Sequence, residues 1–159
     1  MEEETFIDPV TLSINQLAPK RPVVGDNVPV VLWRLIRLVG MHNILKEETS
    51  TITYLLGKQI GKMLEVKNVE DLKNELVGLK IGLIDIRLNT ATSVHISIGE
   101  CLTCSGITPP LGRPICQLEV GIVAGALEKI YPGKKVSGIE TQCIGGMGDA
   151  VCLAECTIV

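Results

Sequence analysis

The chain has 159 residues, 46% of them hydrophobic and 21% charged, with a formal net charge of -3. That length suits one domain with an adequate core, and the weakly negative balance argues against nucleic acid or anionic lipid as a partner. Its aromatic residues, Phe6, Trp33, Tyr54 and Tyr131, are too few for a base-stacking platform.

Residues 1–27 contain Pro9, Pro19, Pro22 and Gly25 and read as an N-terminal arm of turns and short strands. The start, Met1-Glu2-Glu3-Glu4, is acidic where a secretory leader needs positive charge. No apolar stretch approaches the roughly 20 residues that cross a bilayer. A cytoplasmic chain without a membrane span is therefore expected. There, six cysteines are expected as thiols or metal ligands rather than disulfides.

Residues 28–159 read as a single domain. Asp26 or Asn27 can cap a first helix with Pro29 in its first turn. Val30, Val31, Trp33, Leu35, Ile36, Leu38 and Val39 surround a narrow polar stripe of Arg34 and Arg37. Such a helix is expected to be buried or at a subunit contact, and Gly40 and Asn43 offer ways to end it. Thr49 or Ser50 opens a second helix, with Ile52, Leu55, Leu56, Ile60, Met63 and Leu64 at helical spacing. Gly57 and Gly61 on it predict close helix packing, or backbone approach to a bound molecule. Asn68 caps a third helix carrying Leu72, Leu76 and Leu79.

The period then changes. Lys80 to Leu88 and Ser93 to Ile98 alternate as strands across the Asn89-Thr90-Ala91-Thr92 turn. Pro114 can open a fourth helix, with Gly121 and Gly125 again four apart and Pro132-Gly133 as its stop. Lys134 to Cys143 and Val151 to Ile158 read as a hairpin. Helices, strands, helix, strands is the order of an α+β domain with an antiparallel sheet.

All six cysteines lie between residues 101 and 156. Glu140, Cys143 and Cys152 stand around the glycine-rich Gly145-Gly146-Met147-Gly148 reversal, and thiolates with a carboxylate suit a borderline-soft divalent ion. Glu140 and Cys143 are three apart and face opposite sides of a flat strand, so a bulge or the onset of the turn must bring them together. Cys116, near a helix N-terminus, is favoured as a thiolate. Cys101 and Cys104 form a Cys-x-x-Cys pair after a strand, either a zinc half-site or a redox dithiol. The Gly106 and Pro109-Pro110 that follow do not fit the helix a redox motif precedes. Cys156 is expected as a small buried apolar thiol. His42 and His95 read as solvated or hydrogen-bonded, and no nucleophile elbow accompanies them.

The run from Glu100-Cys101-Leu102-Thr103-Cys104 through Arg113-Pro114-Ile115-Cys116 and Glu119-Val120-Gly121 to Glu140-Thr141-Gln142-Cys143 and Met147-Gly148-Asp149 before Cys152 resembles the 4-vinyl reductase domain. The resemblance implies helices on one side of a twisted antiparallel sheet, with an apolar cavity between, and a cysteine-bearing C-terminal hairpin. It also implies kinship with a palmitoyl-binding vesicle-tethering subunit, haem nitric oxide sensors and the aromatic-effector sensors of bacterial transcription activators. Those last sensors hold zinc with three cysteines and a glutamate, a set that falls on Cys116, Glu140, Cys143 and Cys152.

Three readings of the cysteines stand: one ion in that set, a set including Cys101 and Cys104, or no bound metal. Four protein ligands would close a structural site, and Glu140 would be its exchangeable member. The leading functional reading is a small-molecule-binding domain for an apolar or aromatic ligand. Trp33, Leu56, Ile60, Val120 and Val123 are its candidate cavity walls or plain core. The rivals are a reductase acting on a tetrapyrrole or similar pigment and a dimeric scaffold subunit. A homodimer is expected from the apolar first helix.

Overall fold

The fold comes from a computed structural model that describes residues 12–159. The start of the 1–27 arm thus lies outside the described residues. The rest of the arm is almost wholly exposed and holds one 3-10 turn, Ile14–Leu17.

The first helical run is longer than expected. α1 (Val30–Arg34) passes through a π-helical segment, Leu35–Gly40, into α2 (Met41–Leu45), then a 3-10 turn, Lys46–Glu48. Neither Gly40 nor Asn43 ends it. Pro29 sits just before the first turn instead of within it, because its extended backbone makes it the cap residue. α3 (Thr49–Met63) follows, then α4 (Val69–Gly78), whose cap Asn68 accepts the Asp71 N–H at 2.8 Å. β1 (Leu83–Asn89) and β2 (Ser93–Gly99) form the first hairpin. α5 is Gln117–Ile130, starting three residues after Pro114 with Cys116 at its cap. β3 (Val136–Gln142) and β4 (Cys152–Ile158) flank a short helical turn, α6 (Ile144–Met147), ended by Gly148 in the left-handed region at φ 81°.

The four strands form one open antiparallel sheet in the order β1-β2-β4-β3. Val94, Ile96 and Ile98 of β2 and Cys152, Ala154, Cys156 and Ile158 of β4 point into the core, beneath α5. The other face carries His95, Glu155 and Thr157. His95 Nε2 lies 3.0 Å from Ser93 Oγ, the hydrogen-bonded role expected of it. Leu72 and Leu76 of α4 complete the core.

α3 and α5 pack backbone to backbone. A Cβ at Gly57 would sit 2.1 Å from Leu118 O and one at Gly125 2.1 Å from Lys58 O. The four spaced glycines therefore serve close packing, with no room for a ligand at that crossing. The price is an inverted helix face. Inward positions on α3 are the small residues Thr53, Gly57 and Gly61, while Ile52, Leu55 and Leu56 face out. The first helical run is inverted too: Arg37 of its expected polar stripe is 3% exposed, whereas Leu35 and Ile36 are more than half exposed. The helix expected to be buried or at a subunit contact thus shows its apolar side to solvent in the single chain. Among the described residues, no helix is long and apolar enough to cross a membrane.

Glu128 locks α5 to α3 and β3. It accepts from Lys58 at 2.6 Å, Lys62 at 3.0 Å and the Val136 N–H at 3.1 Å. Burial alone would raise its pKa, but the hydrogen bonds from Lys58 and Lys62 bring it down to about 2. A depressed carboxylate stabilises the fold above its unfolded-state value and loses that contribution as pH falls. Glu128→Gln is expected to cost about 2 kcal/mol at pH 7, discounted because Lys62 is half solvated. The difference from the parent should shrink as pH drops from about 4.5 toward 2 in denaturant titrations. A pH-independent difference would show that the ion pairs contribute nothing.

Candidate metal centre and adjoining groove

Five elements bring the candidate ligands together. After β2 the chain turns at Glu100 (φ 47°), and the Leu102 N–H donates to Ile81 O at 2.8 Å, turning Cys101 and Cys104 inward. Cys116 caps α5. Pairing of β3 with β4 slips between Glu140 and Gln142, a bulge that lets Glu140 and Cys143 approach one point despite their spacing. Cys143 opens α6, where its N–H is held by Asp149 Oδ2 at 2.8 Å. Cys152 starts β4. The α6 turn is glycine for steric reasons: a Cβ at Gly146 would meet Arg113 O at 2.1 Å and Cys143 Sγ at 2.8 Å.

The sulfurs converge. Cys116 Sγ lies 3.6 Å from Cys101, 3.9 Å from Cys143 and 3.8 Å from Cys152, and Cys104 lies 3.2 Å from Cys152. Four sulfurs around one zinc at about 2.3 Å would stand about 3.8 Å apart. Two sets have the compactness to hold an ion: Cys116, Glu140, Cys143 and Cys152, and Cys101, Cys104, Cys116 and Cys152. All five cysteines are at most 2% exposed. Glu140 Oε2 accepts the Cys116 N–H at 2.8 Å, and its buried Oε1 has no partner among the described residues. A buried carboxylate oxygen left unpaired beside three sulfurs is what a cation would satisfy. Without one, burial and the neighbouring Cys143 push Glu140 up to about 9. The Ile144 N–H donates to Cys152 Sγ at 3.4 Å. Cys156 is buried apart from the cluster, and burial pushes its thiol up to about 12.

Beside this centre a groove of about 360 Å³ runs between the starts of α3 and α5 and strand β3. Tyr54, Pro114, Val120 and Ile139 supply its apolar lining, and Glu140 borders it. The Tyr54 hydroxyl accepts the Gly138 N–H of edge strand β3 at 3.0 Å. Of the five candidate wall residues, Val120 borders this groove. Val123, on the inner face of α5, is fully buried, Leu56 is 42% exposed, Ile60 is half-buried, and the Trp33 Nε1–H donates to Thr103 at 3.4 Å.

The 4-vinyl reductase domain profile matches residues 94–158, the span from β2 through both halves of the cysteine cluster. Uncharacterized protein MJ1642 of Methanocaldococcus jannaschii is 32% identical over 136 residues, covering 86% of this chain and 81% of its own. The chain belongs to the 4-vinyl reductase domain family. A second protein of that organism, MJ0150, is 28% identical over 87% of this chain and 80% of its own. The fold is shared with a vinyl-4-reductase family protein from M. jannaschii (TM-score 0.62, 26% identity, 86% of this chain and 85% of that one). It is shared, at 12% identity, with the phenol-responsive sensory domain of the transcription activator PoxR with phenol (TM-score 0.64, 84% and 76%). At 14% identity it is also shared with trafficking protein particle complex subunit 3 from Naegleria fowleri covalently bound to palmitic acid (TM-score 0.60, 82% and 95%).

A layer of buried charge in this 4-vinyl reductase domain was not legible from spacing. Behind the sulfurs, Arg37 donates to Ile115 O at 3.1 Å and Thr53 Oγ1 at 3.3 Å. Thr103 donates to Glu119, which is 1% exposed. Burial lowers the Arg37 pKa, opposed by Glu119 and by Cys116, and burial raises that of Glu119. The available signal was Arg37 and Glu119, each a charged residue among apolar neighbours in a largely apolar helix.

Proposed function

We propose that this 4-vinyl reductase domain binds a small apolar or aromatic molecule in the groove bordered by Tyr54, Val120 and Ile139, and that a structural zinc ion on Cys116, Glu140, Cys143 and Cys152 firms the groove's end. The observation that carries this is Glu140, which borders the groove, has a carboxylate oxygen within 4.8 Å of three sulfurs, and keeps its buried Oε1 unpartnered among the described residues. A bound molecule and the metal centre would thus share one side chain. When bound, the ion ties α5 to the terminal hairpin and, with four protein donors, leaves no position for water. The protein residues do the recognition: Pro114, Val120 and Ile139 offer apolar surface, and the Tyr54 ring one aromatic wall. Phenol in one protein of this fold and palmitate in another support an apolar or aromatic ligand.

The inverted helices support a homodimer. Leu32, Leu35, Ile36 and Val39 on the first run and Leu55 and Leu56 on α3 are each more than two-fifths exposed, a disposition suited to a second copy of the chain.

Native mass spectrometry of the untreated protein, followed by titration with phenol and with palmitate, tests the reading. The expected species is a metal-bearing dimer that retains or takes up one of these molecules. Ile139→Glu, at a 62% exposed groove position, should keep the metal and weaken uptake at least tenfold. Unchanged uptake by that variant, or none by the parent, would sink the groove as the binding site.

A further inference from the structure

Each of the two four-donor sets is compact enough for one ion, and they share Cys116 and Cys152. The six donors do not form a single shell, since they separate into two sets whose atoms each lie within 4.8 Å of one another. Cys101 and Cys104 belong to one set only, Glu140 and Cys143 to the other. The shared edge, Cys116 to Cys152, measures 3.8 Å, which is the edge of a tetrahedron of sulfurs at about 2.3 Å from zinc. Cys101 Sγ stands 3.6 Å from Cys116 Sγ within one set, and Cys143 Sγ 3.9 Å from it within the other.

We propose that the cluster is a binuclear centre: two thiophilic divalent ions bridged by Cys116 and Cys152, with Cys101 and Cys104 completing one tetrahedron and Glu140 and Cys143 the other. This rests on reading the cluster as a metal centre and extends it from one ion to two. A thiolate sulfur has lone pairs enough to bind two ions, so two bridging and four terminal donors satisfy two four-coordinate metals. A single ion in the set with Glu140 would strand Cys101 and Cys104 against ligating thiolates. A single ion in the all-cysteine set would leave the buried Oε1 of Glu140 unpaired.

Charge supports the count. Two divalent ions against five thiolates and one carboxylate leave an excess of two negative charges in a buried site. The buried Arg37 guanidinium, close enough to feel Cys101, Cys116 and Glu140, offsets one of them. An iron–sulfur cube fits less well, because its inorganic sulfides hold cysteine sulfurs well beyond the 3.2–3.9 Å found here.

The test is reconstitution of the metal-free full chain with cadmium-113, counted by native mass spectrometry and observed by NMR. Two ions per chain and two cadmium resonances, split by mutual coupling through the shared sulfurs, are expected. The paired change Cys101→Ser with Cys104→Ser should leave one ion and one unsplit resonance. So should Glu140→Gln with Cys143→Ser, with its resonance shifted toward that of an all-sulfur site. Saturation at one ion overturns the bridge while leaving the single-ion reading intact, and two resonances without coupling overturn the bridge in favour of two separate ions. Saturation at none overturns the metal centre itself. If either variant fails to fold, the parent spectrum alone decides.

Discussion

Gly121→Ala is expected to lower the unfolding midpoint by about 5 °C. The added Cβ would lie 2.2 Å from Tyr54 O and 3.0 Å from the Gly57 Cα, both on the backbone of α3. No side chain can swing away, so the helices must separate. The reciprocal contacts resist, since Gly57 abuts Leu118 O and Gly61 abuts Ile122 O, each at 2.1 Å for a built Cβ. Overpacking of this kind costs roughly 1–3 kcal/mol and more where backbone must move. Alanine returns at most about 1 kcal/mol of helix propensity, too little to reverse the sign. At about 2–4 °C per kcal/mol for a chain of this size, the net is of the stated order. Gly78→Ala is the control: nothing lies within 4 Å of its built Cβ, so it should melt at or slightly above the parent. A Gly121→Ala protein that melts with its parent would mean that the α3–α5 crossing is looser than these distances require. Because the same crossing aligns Tyr54 with Val120 in the groove wall, the variant should also weaken ligand uptake.

The sequence carried some of this architecture openly and hid the rest for identifiable reasons. Asn68 as a cap, the alternation of Val94, Ile96 and Ile98, and the paired glycines of α3 and α5 are local signals with local consequences. The order of the 4-vinyl reductase motifs likewise named the family and its α+β sheet. Helix orientation was not local. Periodicity in α3 reports that Ile52, Leu55 and Leu56 share a face, but not that small residues on the other face approach α5 more closely. The same ambiguity inverted the reading of Arg34 and Arg37: Arg34 donates to Leu102 O at 2.9 Å, and Arg37 lies behind the cysteines. At the candidate centre, spacing alone left open whether Cys101 and Cys104 join the other cysteines. Their approach to Cys116 and Cys152 depends on the turn that ties Leu102 to Ile81, a contact no motif records.

Cys116→Ser is expected to have the largest effect on the metal centre, because Cys116 belongs to both candidate sets and its sulfur meets those of Cys101, Cys143 and Cys152. Its N–H also orients Glu140, but the backbone donor survives the substitution, so the loss isolates the thiolate. A hydroxyl is a poor ligand for a soft ion, and affinity should fall at least a hundredfold. A ligand present at about a thousand times its dissociation constant stabilises the folded state by about 4 kcal/mol, so losing it should lower the midpoint on the order of 10 °C. Chelator should lower the parent's midpoint to that of the variant and leave the variant unmoved. Metal binding requires deprotonated thiols, so the parent's chelator-sensitive stability should grow as pH rises from about 6 to about 8. Cys156→Ser separates this from the general cost of a buried hydroxyl, because Cys156 lies in the core but in neither set. That variant should lose about 1–3 kcal/mol equally with and without chelator. Parent protein that melts alike with and without chelator would instead make the cluster five packed thiols, and the groove would have to hold its shape by apolar contacts alone.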